Sequence, residues 1–254
     1  MVRHVVLIDE TAQRRVHDEL GEVAGALKAQ VEGDFAEAWG VRATVTAASG
    51  AKDGAWPIRV RDRLPMPAGG VHLDKDHKPY AEVLYSPEWT TAASHELLEM
   101  LVDPYGQRLV RGPDIDPDSD SHLVEYLVEV CDPCEVFTYE VEGVTVSDFV
   151  TPEYYNAHGH GRVDDLGRLH GPYEVPAGCY LSWIDPADNR WHQKRPDGSF
   201  VTAAAPVDPN RNPRDDRDAA FADPGRHDLG AILARHAPRP DHERHGPAND
   251  SIRR

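Results

Sequence analysis

The stretch "TTAASHELLEMLVDP", residues 90–104, decides how the rest of the chain is read. An α-helix advances about 100° per residue, so with His95 at zero Glu99 falls at about 40°, Asp103 at about 80° and Glu96 at about 100°. Leu97, Leu98 and Leu101 fall between about 200° and 300°, an apolar stripe on the other side. That division suits any surface helix and a metal-binding helix equally well. The kind of polar residue separates the two. Residues 88–104 contain no Lys or Arg, and acids four apart without a cation repel by roughly 0.2–0.5 kcal/mol. Three carboxylates and an imidazole on one arc are better explained by a bound cation that offsets the repulsion.

The spacing also has a chemical rationale. Side chains at i and i+4 on one helix face reach the same metal, and a Glu directly after the first ligand is placed to act as general base on a metal-bound water. Zinc accepts carboxylate oxygen as well as imidazole nitrogen. His95 and Glu99 are therefore candidate ligands and Glu96 the candidate base. A third ligand is sought in "SHLVEYLVEVCD" (121–132), a segment whose pattern is open between strand and helix. Its apolar residues alternate, yet as a helix it would gather His122, Glu125, Glu129 and Asp132 on one face.

Outward from this helix the pattern predicts a mixed α and β chain. "HVVLID" (4–9) is a buried strand, followed by a long amphipathic helix over residues 10–40, with Val16, Leu20, Val23, Leu27 and Val31 at three and four steps and a stop near Gly40. "VRATVTAA" and "PIRVRD" alternate as strands, and "VHLDKDHKPYAEVLY" reads as two strands around a polar turn. Ser86 and Pro87 open the metal-site helix and Asp103-Pro104 closes it. "YGQRLVRGPDIDPDSD" reads as a loop. "EVFTYEVEGVTVSDFV" is a hairpin through Glu142-Gly143, and "CYLSWIDPADNRWHQ" a second one turning at Asp185 to Asn189. Residues 1–200 form the expected folded domain. Residues 201–254, rich in Pro, Asp, Arg and His, are expected to be a largely disordered tail with at most a brief helix over "HDLGAILARH".

The formal net charge is −17, which argues against nucleic acid or anionic lipid as partners, since both reward clustered Lys and Arg. Residues 201–254 carry nine Arg and nine acidic residues, so the acidic excess lies in the folded part. Three cysteines are too few for a disulfide framework and fit a reducing compartment. A second C-x-x-C to complete an all-cysteine zinc site is missing, and Cys131 and Cys134 read as buried thiols. The first ten residues are too short in apolar run for a secretory signal, and no stretch approaches 18 apolar residues, so a cytoplasmic protein is expected. No phosphate-binding loop or G-x-S-x-G elbow is present. Tyr154 and Tyr155 read as packed aromatics, His158 and His160 as exposed loop residues, and the dispersed tail histidines His227, His236, His242 and His245 receive no role.

"SHELLEMLVDP", followed some thirty residues on by "EVCDPCE", resembles the H-E-x-x-E-x-x-x-D-P … E-(I/V)-x-D-x-C signature of zincin-like metallopeptidases, exordium-like proteins among them, over roughly residues 94–135. The resemblance implies an α+β zincin-like fold, a mixed twisted sheet with a long N-terminal helix and an active-site helix. It implies a metal-dependent peptidase in which a divalent ion, zinc, is held by His95, Glu99 and Glu129. Glu96 would be the base for attack of metal-activated water on a peptide bond. Asp132 would orient a ligand histidine through its other ring nitrogen, and Asp103 would support the helix end. Glu99 stands where standard gluzincins carry His, and two carboxylates make zinc less electrophilic and suit harder metals. The substrate of an active enzyme would be a peptide or protein. The alternative is a non-catalytic zincin-like structural or binding module, working as part of a larger assembly.

Overall fold

The computed structural model describes residues 2–66, 68–120 and 122–222. Strands β1 (Arg3–Asp9), β2 (Ala43–Ala47), β3 (Trp56–Arg61), β4 (Gly70–Lys75) and β5 (Lys78–Leu84) make one sheet in the order β2-β1-β3-β5-β4. β1 pairs in parallel with β2 and β3, and β3 with β5; β4 is an antiparallel edge strand on β5. Val5 to Ile8 are buried without alternation, as a parallel strand covered on both faces requires. Downstream lie β6 (Leu109–Pro113), β7 (Leu123–Leu127), the hairpin β8 (Thr138–Val141) and β9 (Val144–Ser147), then β10 (Leu181–Asp185), β11 (Arg190–Lys194) and β12 (Phe200–Pro206). Apart from the hairpin these form a second, antiparallel sheet, β12-β11-β10-β7-β6. The β8–β9 turn is Glu142-Gly143 as the sequence predicts, with both residues at positive φ (52° and 82°), the geometry that matches strand twist in a two-residue hairpin. The β10–β11 hairpin also falls where expected. The chain is thus a mixed α+β protein with several sheets and few helices. Among the described residues no helix is long and apolar enough to cross a membrane.

Three expectations need correction, and one open reading is decided. The long N-terminal helix is not one helix: α1 (Leu20–Gln30) starts ten residues late, a wider π-type turn spans Val31–Phe35, and α2 (Ala36–Trp39) follows. Side chains explain the late start. Asp9 accepts from the Thr11 amide and hydroxyl and from the Val16 amide, while the Thr11 hydroxyl accepts from the Arg15 amide. These local bonds hold residues 11–19 in turns in place of a helical ladder. Gly33 then leaves helical geometry (φ −92°, ψ −114°), and Gly40 ends α2 at φ 67°, near the expected stop. Of the segment whose pattern is open between strand and helix, Leu123–Leu127 is strand, because it finds ladder partners in β6 on one side and β10 on the other, and Asp132 opens a short 3-10 turn. Part of the expected loop after residue 104 is β6, the edge strand that β7 pairs with. Finally, the folded part runs past residue 200: β12 completes the second sheet, and α4 (Pro213–Phe221) follows, capped by the Asn212 side chain, which accepts from the Asp215 amide. The rest of the expected tail, with its candidate helix and histidines, lies outside the described residues.

Helix α3 (Trp89–Val102) packs against β4, β5 and β9. Ser86 accepts from the Glu88 amide at its start, and Asp103 closes it, its carboxylate accepting from the Gln107 and Arg108 amides at 3.0 and 2.8 Å. Its apolar stripe enters the main core, which joins Leu7, Leu27 and Ile58 to Leu97, Leu98, Tyr126 and Trp183. A buried polar latch fixes the rotation of α3. Ser94 donates to Gln30 Oε1 (2.8 Å), Gln30 Nε2 donates to the Ser147 carbonyl (2.9 Å), and the Ser147 amide donates back to Ser94 (3.1 Å). Replacing Gln30 with Leu leaves the Ser94 hydroxyl without its acceptor and the Ser147 carbonyl without this donor. An unmade buried bond costs about 1–3 kcal/mol, so urea unfolding of Gln30→Leu should show a lowered midpoint at an unchanged slope.

Candidate metal centre

The polar arc of α3 does not face solvent. Glu96, Glu99 and Asp103 are buried, and His95 keeps only a partly exposed edge. Three further segments close over the arc. Edge strand β4 brings His72, 2 % exposed, onto Glu96 and Glu99. Gly70, two residues earlier on β4, permits this approach: a Cβ at that position would sit 2.7 Å from the Glu96 side chain. The chain leaving β7 turns beneath α3 and supplies Glu129 and Asp132, and the Cys131 amide donates to Glu99 Oε1 at 3.1 Å. Helix α4 contributes Arg214 and Arg217, three residues apart and both buried.

Glu99 is the meeting point. Its Oε1 lies 3.3 Å from His95 Nε2, and its Oε2 lies 3.6 Å from His72 Nδ1. Asp132 Oδ1 is 3.2 Å from His95 Nε2, Glu129 Oε2 is 3.8 Å from His72 Nε2, and Glu96 Oε2 is 3.3 Å from His72 Nδ1. With the His72 proton assigned to Nδ1 for Glu96, Nε2 presents a lone pair toward Glu129. The Arg217 guanidinium stands 3.7 Å from Glu129 and 3.8 Å from Asp132.

Burial and mutual repulsion set the charge of the cluster. Burial, then the Glu99 charge, pushes Glu129 well above the ordinary carboxylate range and raises Asp132. Burial lifts Glu96 to about 8, and it also pushes Glu135, a neighbour of Asp132, well up. For Glu99 burial acts in the same direction, but the His95 imidazolium outweighs it and brings the acid down to about 2. Burial pulls His95 down, and Glu99 more than reverses that; burial and Arg214 hold His72 well below its usual value. Carboxylates taken out of water ionise together only if a cation joins them.

The residues fit a divalent ion. Neither oxygen of Glu129 has a hydrogen-bond donor, and His72 Nε2 and Asp132 Oδ1 are buried without a hydrogen-bond partner. Unsatisfied polar atoms are rare in folded interiors. Two sets, His72 with Glu99 and Glu129, and His95 with Glu99 and Asp132, each offer one donor atom per residue, all within 4.8 Å of one another. Imidazole with carboxylates suits zinc, manganese or iron.

The sequence-predicted residues His95, Glu96, Glu99, Glu129 and Asp132 do come together, with two differences in arrangement. Asp132 faces the same His95 nitrogen as Glu99 does, not the opposite one, and Glu129 is grouped with His72. Asp103 serves the helix end. His122 pairs instead with Asp185 (2.8 Å), and Glu125 lies near Arg111 (3.6 Å), since a strand sends them away from Glu129. Together with Asp114, His122 and Asp185 form a further grouping nearer the surface. Tyr155 is buried and donates to the Glu129 carbonyl; His158 and His160 are exposed, and Cys131 and Cys134 are buried free thiols. Sequence reasoning missed His72, Arg214 and Arg217. A histidine inside an otherwise apolar strand stretch, "GVHL", was the available signal for His72. Comparison with known protein families, with curated proteins and with solved structures found no match.

Proposed function

We propose that the protein is a metal-dependent hydrolase of the peptidase type, working from the centre around Glu99. The observation that carries the reading is the group of deeply buried, unsatisfied polar atoms, Glu129 Oε1 and Oε2, His72 Nε2 and Asp132 Oδ1, gathered from β4 and the turn after β7 against a helix that reads H-E-x-x-E. A divalent ion held by Glu99 with His72 and Glu129, or with His95 and Asp132, would supply a Lewis acid and bring the acidity of bound water toward neutrality. Glu96 keeps Oε2 on His72, and its Oε1 is the atom that takes a proton from water and returns it to the leaving amine. The Glu99 carboxylate stays fixed by the Cys131 amide. Arg214 and Arg217 balance part of the negative charge.

Arg217 favours a second reading. Its guanidinium covers Glu129 and Asp132, and Phe221 pins α4 into the small core of Leu127, Ile184 and Trp191. A centre covered in this way suits a non-catalytic module in which the ion fastens α3, β4 and the 129–132 turn together.

Glu96→Gln separates the two. The amide oxygen still accepts from His72, so metal content should equal that of the parent, while hydrolysis of a peptide panel should fall by about 10²-fold or more. Loss of metal along with activity would contradict the role of base. A parent protein that carries metal and cleaves nothing, with or without chelator, would leave the module reading standing and remove the peptidase.

A further inference from the structure

We propose that the centre holds two divalent ions bridged by Glu99, one at His72, Glu99 and Glu129 and the other at His95, Glu99 and Asp132. The inference rests on the metal-centre reading above and deepens it. Donors on a single ion with bonds of about 2.1 Å lie no more than about 4.2 Å apart. Even at the looser separation of 4.8 Å the donor atoms of the five residues group only as two sets, each with its own imidazole and its own unshared carboxylate. A single ion has to leave one of the histidines out.

Glu99 belongs to both sets, and its oxygens divide between them: Oε1 lies toward His95, Oε2 toward His72. A carboxylate that turns one oxygen to each neighbour is suited to join two ions about 3.5–4 Å apart. Each set also has an unsatisfied buried donor of its own. Glu129 is 4 % exposed with neither oxygen hydrogen-bonded, Arg217 standing 3.7 Å from Oε1, and Asp132 is 3 % exposed with Oδ1 not hydrogen-bonded but 3.2 Å from His95 Nε2. The first set adds His72 Nε2, which Glu96 aims by engaging Nδ1. The second is set against the peptide of Cys131, which pins the bridging oxygen. The geometry therefore gives two comparable positions and not one site with spare neighbours.

The test uses the full chain loaded with Mn²⁺ and, separately, Zn²⁺, then desalted, with metal counted by mass spectrometry. Glu99→Gln sets the baseline for ions held elsewhere, such as at Asp114, His122 and Asp185. Above that baseline the parent should hold two ions per chain, and His72→Ala and His95→Ala should hold one each. The Mn²⁺ form of the parent should show an exchange-coupled electron paramagnetic resonance signal that both variants lose; this signal needs no variant to fold. One ion per chain with an uncoupled Mn²⁺ spectrum overturns the two-ion arrangement and leaves the hydrolase reading intact. No ion above baseline overturns both.

Discussion

Glu99→Gln should abolish the response of the protein to metal. Added Zn²⁺ or Mn²⁺ at a hundredfold excess over the dissociation constant stabilises the parent by about 2.7 kcal/mol per ion. For a chain with some 200 folded residues that is a rise of roughly 5–11 °C in the midpoint of thermal unfolding. Structural zinc binding of about 10–16 kcal/mol spread over four ligands gives each ligand roughly 2.5–4 kcal/mol, so the loss of one costs about 10²- to 10³-fold in affinity. Glu99 serves both donor sets, and no other residue does. The amide keeps an oxygen for the Cys131 amide, so the turn at 129–132 retains its anchor while the charge is gone. The expected result is a parent whose midpoint rises with metal and falls with chelator, beside a variant with one midpoint in all three conditions. A variant that still shifts by the parent's amount would show that the ion sits elsewhere.

The reach of the sequence over this centre follows from how locally each residue's position is determined. His95, Glu96 and Glu99 share one helix, so a fixed rotation per residue puts them together before any tertiary contact is known. The β8–β9 and β10–β11 hairpins were equally readable, because Glu142-Gly143 and the Asp185–Asn189 turn act over a few residues. Glu129 and Asp132 were found by their acidity and spacing, although the helical option that would put them on one face with His122 and Glu125 gave way to a strand and turn. Leu123–Leu127 was undecided from its own residues; the ladders from β6 and β10 decided it. His72 reaches the centre only because β4 adds antiparallel to β5 at the sheet edge and Gly70 lets it lie on Glu96. The hairpin of β4 and β5 is legible in "VHLDKDHKPYAEVLY", but the packing of its edge strand on α3 is not. Arg214 and Arg217 lie in a stretch whose Pro, Asp and Arg content reads as unfolded. Its order comes from a few specific contacts, with Phe221 in the small core and Asp216 accepting from the Trp191 indole at 2.9 Å.

A second acidic cluster, formed by Asp148, Asp164 and Asp165, should make the protein lose stability as pH rises. Asp148 follows β9 and is buried, as are Asp164 and Asp165. Burial, then the neighbouring Asp164, pushes Asp148 from its ordinary 3.8 up to about 9. Its Oδ1 accepts from the Phe149 amide (2.8 Å) and the Leu166 amide (3.2 Å), while Oδ2 meets no donor. Asp164 is committed to the Arg168 and Leu169 amides. Between pH 4 and 9 the folded chain therefore holds a proton at Asp148 that the unfolded chain gives up. Stability falls with rising pH wherever the folded state binds more protons, by about 1.4 kcal/mol per unit for one such group. The loss begins near the unfolded value, reaches up to about 4 kcal/mol at pH 7, and levels off above the folded value. Asp148→Asn retains Oδ1 for both amides and places an uncharged NH₂ beside Asp164. The variant should match the parent near pH 4 and exceed it increasingly toward pH 9 when urea unfolding of the two is compared across that range with chelator present. Taking the difference between the two proteins cancels the titration of the metal centre. An offset of the same size at every pH would mean that Asp148 carries no proton in the folded chain, and that its neighbours stabilise the charge in spite of its burial.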